Sequence, residues 1–456
     1  MNKIDRAVER HRELILEAER YIWAHPETGY KEYKTNEYLK EKFTSLGYEI
    51  VAPDDITGFY TVIDTGREGP ELLILGELDS IICPAHKEAD PVTGAVHSCG
   101  HNAQTATLLG IAAALTDKSL LEGLSGRIRL CAVPAEELLE IEYRSRLRKE
   151  GRIKYFGGKS EFLSRGYFDG VDLAFMVHTG TGGYFAVGEG CVGCIAKKII
   201  YKGQAAHAGG APWNGKNALY AATLGLNAIN AIRETFREDG LIRVHPIITG
   251  GGDMVNAIPE VVTLESYVRG SSFSAISEAN ERVNRALVGA AVSIGTNVEI
   301  IDIPGYAPLK NDTGLISIAE EALRAIDPEA NLVRGKISTG STDMGDLSCI
   351  MPVIHPSCPG AKGKSHGNDY YLYDPETACI KCAKWQLNML TLLLSDGAER
   401  AKRIVSEYTP EFHSKEEFLR YQDSLNTEGD LIEYSPDGTV NIKLSPERRS
   451  DSELVV

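Results

Sequence analysis

Short, nearly unbroken apolar runs alternate along this chain with longer segments whose apolar residues recur every three or four positions. The run ELLILGELDS (71–80) predicts a buried strand ending in acids. RIRLCAVPAEE (127–137) predicts a strand ending in two glutamates, and DLAFMVHTG (172–180) one ending in a histidine. TATLLGIAAALTD and the charged LLEIEYRSRLRKEG between them read as helices. Residues 5–47 read as two helices around HPETGYKEYKT, the first beginning in an amphipathic N-terminal stretch. Apolar strands alternating with helices predict an α/β domain with a mostly parallel sheet. In such sheets ligands bind beyond the carboxyl ends of the strands, where these three strands carry their polar residues.

The pattern changes after residue 190. CIAKKIIYKG, LIRVHPIITGGG, VVTLESYVRG and NVEIIDIPG read as strands. NALYAATLGLNAINAIRETF and SAISEANERVNRALVGAAVSIG read as the helices between them. The order β-α-β-β-α-β predicts a ferredoxin-like domain over 191–305, inserted into a domain formed by 1–190 and 306–400. A C-terminal extension, 401–456, holds a helix at EEFLRYQDSLN and a hairpin at LIEYSPDGTVNIKL, turned by Pro-Asp-Gly. The last ten residues are polar and are expected to be disordered.

Charge narrows the choice of partners. The formal net charge is −16, which argues against nucleic acid and against an anionic membrane surface. No apolar run approaches a membrane span, and the N-terminus lacks an apolar signal core, so a cytoplasmic protein is expected. Nine cysteines in a long chain are no disulfide framework. Two C-x-x-C pairs, Cys191/Cys194 and Cys379/Cys382, lie far apart in apolar sequence and are expected to be buried packing.

At the predicted strand ends and in nearby loops stand Cys99 and His101 in HSCGHN, Glu136 and Glu137 in PAEE, His178 in FMVH and His366 in GKSHGNDYY. Thiol, imidazole and carboxylate together are ligand types for a divalent ion, with zinc or manganese favoured and nickel or cobalt permitted. Neighbouring side chains on a strand diverge, so one glutamate can hold metal while the other faces water as a general base.

These residues lie in segments that resemble, in order, those of the metallo-amidohydrolases that include aminoacylases, hippurate hydrolase, indole-acetyl-amino-acid hydrolases and aminobenzoyl-glutamate hydrolase. The segments are HPETGYKEYKT, GELDS, HSCGHN, PAEE, KGQAAHAGGAPWNGKNAL, GGDMVNAIPE, STDMGDLS and GKSHGNDYY, spread over about residues 20 to 395. The resemblance implies a metal-dependent peptidase-like catalytic domain with an inserted ferredoxin-like domain serving as lid and dimerisation surface. It implies that Cys99, His101, Glu137, His178 and His366 hold one or two ions, with Glu136 as general base and His207 and Asn256 supplied by the lid.

The activity it implies is hydrolysis of a small-molecule amide, an N-acyl amino acid or an aminobenzoyl-glutamate-like substrate, by a homodimer or higher homo-oligomer. Glu136 would take a proton from water and return it to the leaving amine. Rival expectations are a dipeptidase acting on a free dipeptide, a metal-bearing binding protein without catalysis, and a thiol oxidoreductase using the C-x-x-C pairs. The chain departs from the resemblance at Asn102, where Asp is usual, and at Gln104, where many members have His. It departs again at LLEIEYRSRLRKEGRIKYFGGK, which replaces a glycine-rich link.

Overall fold

The computed structural model describes residues 2–427 and 429–444. The chain separates into two compact units. One comprises the chain up to Gly190, Leu309–Ser338 and Thr342–Phe418; the other comprises Cys191–Pro308, Thr339–Ser341 and the chain from Leu419 on.

In the first unit the N-terminal stretch forms three helices where two were expected: α1 (Lys3–Arg10), α2 (Arg12–Trp23) and α3 (Tyr33–Ser45). The first break falls at His11, whose backbone (φ −107°, ψ 12°) leaves the helical region. The strands are β1 (Phe59–Asp64), β2 (Glu71–Glu77), β3 (Arg127–Val133) and β4 (Leu173–Phe175), followed by β5 (His178–Gly180), β6 (Val353–Ile354) and β7 (Ser357–Pro359). The central sheet runs β1-β3-β2-β4-β6. Only the edge strand β1 is antiparallel to its neighbour. Every residue of β2 is buried, as expected for a strand covered on both faces.

DLAFMVHTG is not one strand. It breaks after Phe175, and His178 opens β5, which pairs in parallel with β7 in a different sheet. Helix α4 (His101–Leu115) is buried along all fifteen residues, so it carries no polar stripe and its small and branched side chains fill the core. It is followed by α5 (Ile141–Lys149) and α6 (Gly158–Ser164).

The second unit is built on an antiparallel sheet in the order Arg243–Val244, Val261–Gly270, Gly193–Lys202, Asn297–Pro304, with Ile247–Gly250 also paired to Val261–Gly270. LIRVHPIITGGG, expected as one strand, is interrupted at Pro246, which has no N–H for the ladder. Along Val261–Gly270 burial alternates residue by residue. Val262, Leu264 and Val268 thereby meet Val283 and Leu287 of the helix Phe273–Ile294. The stretch after residue 400 divides between the units. The helix Glu399–Glu407 belongs to the first, while the hairpin Ile432–Tyr434/Val440–Ile442 belongs to the second, where Ile432 enters the core. The last ten residues, expected to be disordered, lie outside the described residues.

All nine cysteines are free, and Cys191, Cys194, Cys379 and Cys382 are buried. No helix among the described residues is long and apolar enough to cross a membrane.

Candidate metal centre

The carboxyl ends of β2 and β3 deliver acids side by side. Beyond β2 the chain passes Glu77 to Asp79; beyond β3 it turns through Pro134 and Ala135, which takes φ 53°, into Glu136 and Glu137. The two ends are tied: Leu78 N donates to Val133 O (3.0 Å) and Glu137 N donates to Asp79 Oδ2 (2.8 Å).

Between them lies the start of α4. Gly100 has φ 96°, and a Cβ there would stand 2.5 Å from Tyr370 Oη, so glycine is required for the turn into His101. The carbonyl of Asp79 lies 2.9 Å from His101 Nδ1. A carbonyl only accepts, so Nδ1 donates to it and Nε2 is the nitrogen left facing inward. His178 repeats the device, with Nδ1 2.9 Å from Thr179 O and Nε2 3.4 Å from Cys99 Sγ. His366, at φ 62°, donates its backbone N–H to Ser98 O (2.9 Å) and places Nε2 3.0 Å from Glu137 Oε1.

Two trios of donor atoms therefore share Cys99: Cys99/His101/His178 and Cys99/Glu137/His366. A third is Glu77/His101/Glu136. Within each, the donor atoms lie within 4.8 Å of one another. His101 Nε2 and Glu77 Oε2 are 3.3 Å apart, and both are buried without a hydrogen-bond partner among the described residues. Buried polar atoms without a partner are costly, and a bound cation would meet both. The donor set thus fits a divalent ion, with the shared thiolate suited to joining two.

Electrostatics divides the carboxyl groups. Burial raises Glu136 well above the usual carboxylate range, and the carboxylates of Glu77, Glu137 and Asp343 raise it further. Burial also works against Glu137 and Glu77, yet both fall to about 2. His366 and His101 outweigh it at Glu137, Lys159 and His101 at Glu77. Burial and Glu137 push the Cys99 thiol up, but His101 and His178 prevail and bring it down to about 6. The environment thus pushes the two adjacent glutamates apart, Glu137 down and Glu136 up.

Several participants were not singled out from sequence. Glu77 and Asp79 stood in GELDS as strand-end acids, and that position was their only signal. Lys159, wholly buried on α6, reaches Glu77 Oε1 at 2.5 Å and also bonds Asp343. It gets there because Gly158 packs against Pro134, whose carbonyl oxygen a Cβ would meet at 1.6 Å. His355 is half-buried, with its Nε2 sealed from solvent and its ring centroid 5.7 Å from that of His178, and desolvation lowers it to about 3, so it is neutral. The two departures hydrogen-bond elsewhere than to the trios' donor atoms. Asn102 Nδ2 donates to Glu19 Oε1 (2.8 Å), and Gln104 Oε1 accepts from Glu77 N (2.8 Å).

His207 and Asn256 lie together in the second unit, both exposed. His207 bridges Ala257, and Ala208 N donates to Asn256 O (2.9 Å). His207 Nδ1 accepts from the backbone N–H groups of Gly209 (3.2 Å) and Gly210 (2.8 Å), so the proton sits on Nε2, pointing outward as a donor.

The sequence profile of peptidase family M20/M25/M40 matches residues 74–391. The chain is 28% identical over 367 residues to the Xaa-Arg dipeptidase of Mus musculus, covering 78% of this chain and 77% of that one. It is 30% identical over 261 residues to one of the chains of the p-aminobenzoyl-glutamate hydrolase of Escherichia coli, covering 53% and 54%. Its fold is that of a dinuclear metal-binding M20 peptidase from Bacillus subtilis, at TM-score 0.62 and 21% identity over 85% of this chain and 99% of that one.

Proposed function

The chain belongs to peptidase family M20/M25/M40 and is a metal-dependent amidohydrolase, and we propose that it cleaves the amide bond of an N-acyl amino acid or an aminobenzoyl-glutamate-like substrate. The observation that carries this reading is the pair of donor trios sharing Cys99 beside the buried carboxyl of Glu136.

On this reading Cys99, His101, Glu137, His178 and His366 hold one or two divalent ions, zinc or manganese before nickel or cobalt. The ion supplies Lewis-acid polarisation of the scissile carbonyl and lowers the pKa of water. Glu136 takes the proton of the attacking water and hands it to the leaving amine, which its raised pKa suits. His207 offers its Nε2–H to the oxyanion, and Asn256 sits beside it to orient the substrate. The second unit is then a ferredoxin-like lid and the surface through which a homodimer or higher homo-oligomer forms, and the first unit carries catalysis. Free, buried cysteines support a reducing, cytoplasmic setting.

A second reading, a dipeptidase, is favoured by the similarity to the Xaa-Arg dipeptidase. The deciding experiment loads the protein with zinc or manganese. It then compares hydrolysis of N-acyl amino acids and p-aminobenzoyl-glutamate with that of matched free dipeptides. Cleavage of the acylated series supports the proposal. Turnover confined to substrates with a free amine replaces it with the dipeptidase, and no turnover of any of them overturns both.

A further inference from the structure

The segment between Glu137 and α6 closes on itself. Within it Arg144, on α5, is 1% exposed. Arg144 Nη2 donates to the carbonyl of Glu137 at one end of the segment, and Nη1 donates to Phe156 O (2.7 Å) at the other. One guanidinium thereby staples both ends of an eighteen-residue excursion, residues 138–155, to each other.

The staple is itself seated on the segment 28–31. Arg144 Cζ lies 5.6 Å from the centre of the Tyr30 ring, and Gly29 lies so close that a Cβ there would come within 2.3 Å of Nη2. Tyr30 Oη donates to Tyr155 O (2.9 Å), while Thr28 Oγ1 (2.5 Å) and Lys31 Nζ (2.6 Å) both hold the carboxylate of Glu140.

We infer that Arg144 is a positioning residue for the metal centre: through the Glu137 carbonyl it aims the carboxylate of Glu137 at Cys99 and His366. Both peptide planes flanking the Glu137 Cα are pinned. The N–H is held by Asp79 Oδ2 (2.8 Å), and the carbonyl by Arg144 and by Leu139 N (2.8 Å). With both planes fixed, the Cα–Cβ direction is fixed as well. The peptide on the N-terminal side also belongs to Glu136, so the same clamp sets the spacing of the two glutamates. Arginine suits the task because its planar fork presents separate N–H groups to two carbonyls in a set geometry, whereas lysine brings a compact ammonium without that fork. A ligand whose supporting hydrogen bond is lost binds its ion about 10- to 100-fold more weakly.

This inference rests on the reading of Glu137 as a metal-holding residue, and the test separates the two. Zinc affinity of the metal-free protein is measured by competition with a chromophoric chelator, and the absorption spectrum of the cobalt(II)-loaded protein reports the ligand geometry. Wild type and Glu137→Ala come first. If they bind zinc equally, the reading of Glu137 fails. If Glu137→Ala loses affinity, Arg144→Met is expected to bind about 10-fold more weakly or worse, with a shifted cobalt spectrum. Arg144→Lys should fall between Arg144→Met and wild type. Folded Arg144 variants with wild-type zinc affinity and an unchanged cobalt spectrum overturn the inference. Should neither Arg144 variant fold, Glu140→Gln decides, because its side chain is only half-buried and it loosens the seat of the staple. A several-fold weaker zinc affinity supports the inference, and unchanged affinity overturns it.

Discussion

Lys159 Nζ stands 2.5 Å from Glu77 Oε1, and both side chains are sealed from solvent. The same ammonium bonds Asp343, so one cation holds two buried carboxylates behind the donor trios. Burial opposes its charge, but Asp343, Glu77 and Glu136 prevail and keep Lys159 protonated. Removing the cation strands both anions. Lys159→Met should therefore cost about 3–5 kcal/mol, read as a lowered urea midpoint of the metal-free protein. Adding Glu77→Gln should recover part of the loss, because the two sites are coupled. Additive losses in the double variant would show that the pair does not act as a unit.

Glu136→Gln should leave bound metal unchanged and lower kcat by about 100- to 10,000-fold, since only the proton carrier is lost. Metal content by elemental analysis and kcat on the best amide substrate check this together. A metal-replete variant with near wild-type kcat would remove Glu136 from the role of base.

The thiol of Cys99 is brought to about 6 by His101 and His178 against burial and Glu137. Its thiolate fraction therefore rises with pH through about 6 and then levels off. In the chelated protein the rate of alkylation of Cys99, followed by peptide mass mapping, should trace that curve. In the metal-loaded protein the rate should drop about 10-fold or more, because coordination draws electron density from the sulfur and shields it. Equal rates with and without metal would count against ligation by Cys99.

His207→Ala should reduce kcat by about 100- to 1,000-fold, the usual effect of losing one oxyanion donor, with metal content unchanged. Mixing His207→Ala with Glu136→Gln under conditions that exchange protomers separates two sources of the histidine. Recovered activity would mean that one protomer lends His207 to another. No recovery despite demonstrated exchange would assign it to its own chain, and unchanged kcat in His207→Ala alone would take the histidine out of the reaction.

What the sequence determined by itself was the set of strand-end groups and the order of elements. Apolar runs mark buried strands whatever surrounds them, so Glu136 and Glu137 could be placed beyond β3, and the acids of GELDS at the end of β2, from local pattern alone. In the second unit the alternation of strands and helices was legible for the same reason, except that Pro246 splits one expected strand in two. The convergence of the groups was decided by tertiary structure. Cys99 meets His178 and His366 across 79 and 267 positions of chain, through sheet order and through turns such as Ala135 at φ 53° and His366 at φ 62°. No local periodicity encodes such contacts. Tertiary structure also moved His178 into a second sheet, turned Asn102 toward Glu19 and Gln104 toward the Glu77 backbone, and set Lys159 and Arg144 behind the centre. In the sequence both cations stood in LLEIEYRSRLRKEGRIKYFGGK, read only as a stretch that begins as a charged helix and replaces a glycine-rich link. Only burial among carboxylates and carbonyls gives a buried cation its role, and burial is a property of the assembled core.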